Sequence, residues 1–135
     1  MYKQFENEWS ELWFSFFILE KVEDPWNWYG ISSNPNITWD VIINHFEKPW
    51  NWHEISYNPN ITWDIIKQNL TKPWDWDGIS ANPNITMDII QNNPEKSWDW
   101  SSLSLNPNIT WDIIKENLEK PCRWDGISCN PNITW

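Results

Sequence analysis

The chain contains 135 residues, of which 40% are hydrophobic and 21% are charged, and its formal net charge is −10 at pH 7. This composition is too apolar for a disordered chain, and the length suits one compact domain or one short repeat array. Nineteen acidic residues outnumber nine basic ones, so the chain lacks the clustered positive charge that binding to a phosphate backbone requires, and we expect no nucleic acid partner.

The N-terminal segment, 1–24, predicts a helical cap. Large apolar residues recur there every three or four positions, as on one face of a helix. These residues are Tyr2, Phe5, Trp9, Leu12, Trp13 and Phe16. Residues 17–22 align with the first helix of the unit that follows, so the end of the cap predicts a degenerate repeat, which is common at the ends of repeat arrays. We therefore divide the chain into a cap at 1–24 and tandem repeats at 25–135 that end in an incomplete unit.

The most apolar run of the chain lies inside this cap, from Leu12 to Leu19. The run is too short to span a bilayer, which requires about 20 residues in a helix. Acidic residues precede the run, where a secretory signal has positive charge, and an acidic residue follows it, where such a signal has a small-residue cleavage site. We therefore expect no membrane partner and a cytoplasmic location.

The rest of the chain is a tandem repeat with a constant 24-residue step. The phrase Asn-Pro-Asn-Ile-Thr begins at Asn34, Asn58, Asn82, Asn106 and Asn130. The same step connects a tryptophan, a serine and a lysine of each unit with those of the next. These series are Trp28, Trp52, Trp76, Trp100 and Trp124; Ser32, Ser56, Ser80, Ser104 and Ser128; and Lys48, Lys72, Lys96 and Lys120. A fixed period means that every unit has one conformation and meets its neighbours in one way, which predicts a solenoid.

Each unit predicts a first helix directly after Asn-Pro-Asn-Ile. Thr38 is placed to cap this helix with its hydroxyl, and Asp40 puts negative charge in the first turn. Ile37 and Ile42 have the spacing of a hydrophobic staple. An apolar stripe continues for one more turn, and the next proline ends the helix after about ten residues. The far ends of the stripe are Phe46, Leu70 and Leu118, and the prolines are Pro49, Pro73 and Pro121.

The Asn-Ile-Thr of each unit also matches a glycosylation sequon. Its threonine already has a capping role, and Asn36 suits an Asx turn after Pro35. We therefore interpret the motif as structural.

Each unit also predicts a second, shorter element that runs from the proline through Trp-Asx-Trp to Ile-Ser. Proline suits a first helical position, so we expect a short helix or 3₁₀ turn from Pro73 to Ser80. Trp76 and Ile79 should share its inner face. We expect both tryptophans of the motif to be buried, the second in the core and the first between units. The first series is Trp26, Trp50, Trp74 and Trp98, with Cys122 at the last position.

The phrase Ile-Ser-x-Asn-Pro-Asn-Ile-Thr, followed by a short helix and repeated with a 24-residue period, resembles the leucine-rich repeat variant motif. The resemblance covers residues 25–135 and implies α-helices that alternate with 3₁₀-helices in a superhelix without strands. The iron–sulfur cluster known in that family needs a cysteine cluster, which this sequence lacks. We predict an all-α fold, a short right-handed solenoid of 24-residue units.

The fuller phrase Asn-Pro-Asn-Ile-Thr-Trp-Asp-Ile-Ile, together with Lys-Pro-Trp-Asp-Trp, is similar to the tryptophan-rich repeat proteins of giant DNA viruses of protists. This resemblance implies a viral origin, with the protein in the host cytoplasm or the virion. It supplies no activity.

Candidate catalytic and metal-binding residues are few. Cys122 and Cys129 cannot form a four-ligand zinc site alone, and His45 and His53 lie far from them in sequence. We expect two free thiols, with a disulfide between them as the alternative. No other unit repeats the adjacent pair of His53 and Glu54, so we interpret it as a surface pair. We predict no catalytic residue, metal or cofactor, and a protein that is not an enzyme.

Positions that differ between units are the candidates for binding a partner, because the scaffold positions stay constant. The residue after the second tryptophan varies as Tyr29, His53, Asp77, Ser101 and Asp125. The residue after Ile-Ser varies as Ser33, Tyr57, Ala81, Leu105 and Cys129, among which Tyr57 and Leu105 are large. This mixture of apolar, aromatic and acidic side chains suits a protein surface better than a repetitive polymer.

The last unit predicts a self-association edge. Ile133 has no staple partner within this sequence, because the sequence ends two residues later. We expect an apolar edge that either pairs with another copy of the chain, which would give a homo-oligomer, or frays. Its residues are Trp124, Ile127, Ile133 and Trp135.

Three functions are consistent with these features. The first is a scaffold that binds another protein, a host component if the viral resemblance holds. The second is a structural component that assembles end to end through the edge. The third is a glycan-binding module, because exposed indoles stack on sugar rings.

Overall fold

A computed structural model describes residues 8, 9, 12 and 26–133 of the chain. The cap predicted at 1–24 lies outside the described residues, apart from Glu8, Trp9 and Leu12, which are helical. The helices of the repeats are α1 (Trp28–Ser33), α2 (Trp39–Asn44), α3 (Trp52–Tyr57), α4 (Trp63–Gln68), α5 (Trp76–Ala81), α6 (Met87–Asn92), α7 (Trp100–Leu103), α8 (Trp111–Glu116) and α9 (Trp124–Cys129). No strand occurs among the described residues, so the predicted all-α fold is confirmed.

Two kinds of helix alternate along the repeats. The even-numbered helices follow Asn-Pro-Asn-Ile-Thr, and the odd-numbered helices begin at the second tryptophan of the Trp-Asx-Trp motif. Each odd-numbered helix packs against the next one: α1 against α3, α3 against α5, and α5 against α7. The units therefore stack in series, as the constant period predicted.

Buried isoleucines fill the space between the two kinds of helix. One series precedes the even-numbered helices and another lies within them, and no member is more than 4% exposed. The two series are Ile37, Ile61, Ile85 and Ile109, and Ile42, Ile66, Ile90 and Ile114. The hydrophobic staple is thus confirmed in these four units.

The threonine caps are confirmed in half of these units. Thr38 and Thr62 each accept a hydrogen bond at 3.5 Å, from the backbone N–H of Val41 and of Ile65. Thr86 and Thr110 hold the cap position, but their hydroxyls make no capping hydrogen bond. The staple, present in all four, is therefore the more constant feature of these helix starts.

The even-numbered helices have six residues, so the predicted length of about ten residues was wrong. Directly after the helix, the side-chain amide of Asn69 donates to the carbonyl of Ile65 at 2.8 Å, and Asn93 and Asn117 do the same in the next units. This local bond satisfies a carbonyl that would otherwise lack a partner, and a turn follows before the proline. The stripe residues Phe46, Leu70 and Leu118 lie in this turn and are exposed.

The odd-numbered helices are α-helical, and they start later than the sequence indicated. Pro73 lies two residues before the N-cap, which is Asp75, and Trp76 is the first helical residue. The side chains of Asn27, Asn51, Asp75 and Asp99 accept N–H groups of the first turn. The Asx residue of the Trp-Asx-Trp motif therefore begins the helix, and the proline precedes it.

The longest repeat helices have six residues. A helix that crosses a bilayer needs about 20 apolar residues, and no helix in the described part of the chain approaches that requirement.

A series of buried asparagines ties each unit to the one before it. The ladder asparagines are Asn58, Asn82, Asn106 and Asn130, the first asparagine of each Asn-Pro-Asn. The side-chain amide of Asn82 lies 2.8 Å from the carbonyl oxygen of Ser56, 3.1 Å from that of Asn58 and 3.2 Å from that of Ile61. Its Oδ1 accepts the N–H of Asn84 and closes the local turn. One side chain therefore shapes its own unit and holds the preceding one.

Two further polar series reinforce this connection. Asn84, the second asparagine of its motif, donates to the carbonyls of Pro59 and Ile61 at 2.7 and 2.9 Å. The hydroxyl of Ser56, which is fully buried, accepts the backbone N–H of Asp75 at 3.0 Å. The Asx turn expected at Asn36 is instead made by the asparagine two residues earlier, and the second asparagine is used between units.

The substitution Asn82→Ala should lower the free energy of unfolding by about 2–4 kcal/mol. The carbonyl of Ser56 and the N–H of Asn84 lose their partner, and the carbonyls of Asn58 and Ile61 each lose one of two hydrogen bonds. The matched control is Asn92→Ala, at an exposed helical position, which should cost less than about 0.5 kcal/mol. Urea denaturation followed by circular dichroism measures both. Equal losses in the two variants would show that the ladder does not hold the stack.

Close packing of successive units also requires glycine at one point. A Cβ on Gly78 would lie 2.6 Å from the carbonyl oxygen of His53 and 2.9 Å from the Cβ of Ser56, both in α3. α3 and α5 are the pair of helices that pack most extensively. Gly30 occupies the same position of α1, and among the residues that the structure describes the nearest atom to a Cβ placed there would lie 3.7 Å away.

We expect Gly78→Ala to destabilise the protein by about 2 kcal/mol through overpacking. Gly30→Ala should leave stability unchanged or raise it by up to about 1 kcal/mol, because alanine favours helix more than glycine does. Thermal unfolding of the two variants separates the steric effect from helix propensity. If both variants unfold at the same temperature, the close contact is not limiting.

Candidate functional site

The variable residues after the second tryptophan lie at one repeated position, the second residue of each odd-numbered helix. The variable row is defined as Tyr29, His53, Asp77, Ser101 and Asp125. Since α1, α3, α5 and α7 pack side by side, the row passes from unit to unit along one face of the stack. Its members are exposed except Ser101, which is half-buried. The structure therefore brings these predicted residues together on the surface.

A second exposed series lies at the end of the same helices. Tyr57 ends α3 and is 50% exposed, and Leu105 follows α7 and is 47% exposed. Both side chains offer apolar surface beside the variable row, as predicted for a partner-binding face.

Tyr29 contacts the next unit through Glu54, a carboxylate that is almost fully buried. The pKa of the Tyr29 phenol is raised because its side chain hydrogen-bonds to Glu54 and because the negative charge of Glu54 opposes ionisation. His53 Nε2 lies 4.0 Å from the same carboxylate. Glu54 thus lies close to the first two members of the row.

A polar cluster occupies the middle of the row. His53 Nδ1 lies 3.1 Å from Asp75 Oδ2, and the hydroxyl of Ser102 donates to Asp77. Ligand atoms of His53, Asp75 and Asp77 lie within 4.8 Å of one another. Ser102 is 8% exposed, so the hydroxyl that donates to Asp77 is not displayed to a substrate, whereas His53 and Asp77 are exposed. The arrangement suits recognition of a polar or cationic group better than nucleophilic catalysis.

The last member of the row is paired within its own unit. The guanidinium of Arg123 forms two hydrogen bonds with the carboxylate of Asp125. The hydrogen bonds from Arg123 and, to a smaller extent, the one from the backbone N–H of Gly126 hold the pKa of Asp125 below its usual range. Arg123 and Asp125 are both exposed, so the pair is worth little for stability and presents both charges to solvent.

Sequence reasoning identified the row and missed its polar partners. Glu54, Asp75, Ser102 and Arg123 contact row residues. The interpretation of His53 and Glu54 as a surface pair was wrong for Glu54, which is buried against Tyr29 of the preceding unit. A signal was available for two of these partners: the residue after the row position is glycine in three units and Glu54 or Ser102 in the others. These two side chains reach back to Tyr29 and Asp77, one unit earlier.

The structure exposes one residue of the predicted self-association edge and buries two others. Trp124 is 58% exposed, whereas Ile127 and Ile133 are 1% and 8% exposed and belong to the core. Trp135 lies outside the described residues. Of the residues that the structure describes, Trp124 is therefore the one that offers a large apolar surface at this edge.

The tryptophans are arranged differently from the prediction. Trp50 is buried, Trp26, Trp74 and Trp98 are half-buried, and so are Trp28, Trp52, Trp76 and Trp100. Indoles meet edge to face at centroid distances of 5.2 Å, in the pairs Trp28/Trp50, Trp52/Trp74 and Trp76/Trp98. Core burial of the second tryptophan was thus overestimated, because its ring packs against another indole at the rim of the isoleucine core.

The first tryptophan of each motif makes one more fixed contact. The indole N–H of Trp50, Trp74 and Trp98 donates to a backbone carbonyl five residues earlier, at 2.8–2.9 Å. Trp74 and Trp98 also pack on Trp39 and Trp63, with centroids 5.6 and 5.7 Å apart. These contacts engage the N–H groups and ring faces that sugar binding would need, which disfavours a glycan-binding function for the first tryptophan of the motif.

Comparisons of this chain with protein-family models, with curated proteins and with solved structures found no match.

Proposed function

We propose that this chain is a non-enzymatic scaffold that binds another protein through the variable row together with Tyr57 and Leu105. The observation that carries the proposal is the contrast between buried positions that hold the stack, which are constant, and exposed positions on one face, which vary. The buried ladder asparagines and staple isoleucines repeat without change and hold the stack, whereas the residues along one exposed face differ between units. A rigid frame with a varied surface is how repeat proteins bind partners.

The composition of this face indicates the chemistry of the partner. Tyr29, Tyr57 and Leu105 supply apolar and aromatic surface, and aromatic residues are enriched at protein interfaces. Asp75 and Asp77 add negative charge, in a chain whose net charge is −10. We therefore expect a partner with a basic and partly apolar surface, and we place the interaction in the cytoplasm, where both cysteines stay reduced.

A photo-cross-linking amino acid at position 57 or 105 should capture the same partner from cells that express the protein. The same amino acid at the control positions 67 and 116, on exposed sites of the even-numbered helices, should not capture it. Binding should weaken when the salt concentration rises, because attraction between exposed charges is screened. Capture of the same proteins from all four positions would contradict the proposal.

End-to-end assembly is a second candidate, favoured by the exposure of Trp124. Its equivalents Trp28, Trp52 and Trp76 each contact an indole of the next unit in the chain. An exposed indole beside a buried isoleucine core is a suitable contact for another copy.

Analytical ultracentrifugation tests this candidate. Self-association should weaken at least tenfold in Trp124→Ala, since an aromatic anchor contributes more than about 1.4 kcal/mol to an interface. Leu118→Ala removes another exposed apolar side chain and should leave association unchanged. A chain that stays monomeric at high micromolar concentration would rule out this candidate and leave the scaffold proposal intact.

A further inference from the structure

Two indoles of the first-tryptophan series, Trp74 and Trp98, lie in the same environment. Trp98 is the best-defined example. Its ring packs on Trp63 at 5.7 Å and meets Trp76 edge to face at 5.2 Å. Its N–H donates to the carbonyl of Asn93 at 2.8 Å. Three groups therefore form one indole site: a flat apolar floor, an aromatic wall and a carbonyl acceptor.

The last unit keeps the surroundings of this site, but its sequence has no tryptophan at the position that supplies the indole. The residue 24 positions after Trp98 is Cys122, and the floor residue 24 positions after Trp63 is Met87. The backbone is unchanged: the N–H of Cys122 donates to the carbonyl of Lys120 at 2.8 Å, as the N–H of Trp98 does to that of Lys96. The substitutions have altered the side chains and left the frame as it is in the other units.

A partly open pocket of about 350 Å³ lies at this place. Its lining includes Met87, Trp100 and Asn117, which are the equivalents of all three groups that hold the indole of Trp98. Trp98 and Lys120 also line it. The volume falls within the range of roughly 300–1,000 Å³ that is usual for small-molecule sites.

The pocket also retains a hydrogen-bond acceptor. The carbonyl of Asn93 accepts two hydrogen bonds, from the N–H of Lys96 and from the indole of Trp98. The carbonyl of Asn117 accepts a hydrogen bond from the backbone N–H of Lys120, as Asn93 does from Lys96. Its second lone pair is left for the donor that an indole N–H provides in the other units. Burial raises the pKa of the Cys122 thiol, so the side chain that replaces the indole stays neutral.

We propose that the pocket formed by Met87, Trp98, Trp100 and Asn117 binds an indole ring. The ring packs on Met87, meets Trp100 at its edge and donates its N–H to the carbonyl of Asn117. The ligand is a free indole compound or the side chain of a tryptophan in a peptide, since both present the same ring and the same donor. This site is separate from the variable row and does not rest on the proposed scaffold function.

Fluorine NMR with 5-fluoroindole tests the site without interference from the 15 tryptophans of the chain. We expect saturable binding with a dissociation constant on the order of 0.1–1 mM, as for small aromatic ligands. Competition by 1-methylindole should be about fivefold weaker than by indole, because the methyl group removes the one N–H donor. Competition by N-acetyltryptophanamide distinguishes a peptide side chain from a free indole compound as the natural occupant.

The substitution Cys122→Trp should fill the pocket from within. We expect it to abolish binding of 5-fluoroindole and to raise the melting temperature by about 4 °C, through burial of another aromatic ring. Cys129→Trp is the matched control, since Cys129 is exposed, and it should change neither quantity. Met87→Ala removes the floor of the site and should weaken binding at least fivefold while the protein stays folded.

Absence of binding at 1 mM 5-fluoroindole would overturn the proposal. A lower melting temperature for Cys122→Trp would also overturn it, because the pocket would then not have the shape of the missing side chain. Equal loss of binding in Cys122→Trp and Cys129→Trp would place the ligand elsewhere and contradict the site. None of these results would bear on the cross-linking test of the variable row.

Discussion

The architecture depends on an asparagine amide that reaches three carbonyl oxygens of the preceding unit while its own oxygen closes a local turn. Asparagine suits this position because it combines two N–H donors with an acceptor, whereas an aspartate would place a buried negative charge beside carbonyl oxygens. The ladder asparagines, from Asn58 to Asn130, are at most 4% exposed. Since the same side chain sets the turn and the stacking distance, an insertion between units would break both, which explains why the 24-residue period is never interrupted.

Because buried side chains hold the units together, the residues on one exposed face of the stack are free to vary. Backbone and buried polar groups hold the odd-numbered helices side by side, so their second residues are displayed at regular intervals whatever their identity. Tyr29, His53 and Asp77 then interact with side chains of the next unit. The face is consequently a connected surface, and a substitution in one unit changes the environment of its neighbour.

The tryptophans form a second connected system, outside the isoleucine core. The indoles of Trp50, Trp74 and Trp98 each contact an indole of the preceding unit and donate to a backbone carbonyl. The series is broken where Cys122 and Met87 stand in place of two tryptophans whose equivalents, Trp98 and Trp63, are in contact. The absence of both rings leaves a pocket between the units. The backbone does not close over this space, because the ladder asparagines hold it and the indoles do not.

The sequence by itself determined the helical fold, the 24-residue unit, the staple of Ile37 and Ile42 and the position of the variable row, because these follow from periodicity and from contacts between residues close in the chain. Contacts between units were decided only in three dimensions. The second asparagine of each motif donates to the previous unit, and Glu54 and Ser102 reach the row from the following unit. A repeat shows that neighbouring units meet identically, but it does not show which side chains meet, because several registers of stacking satisfy the same period.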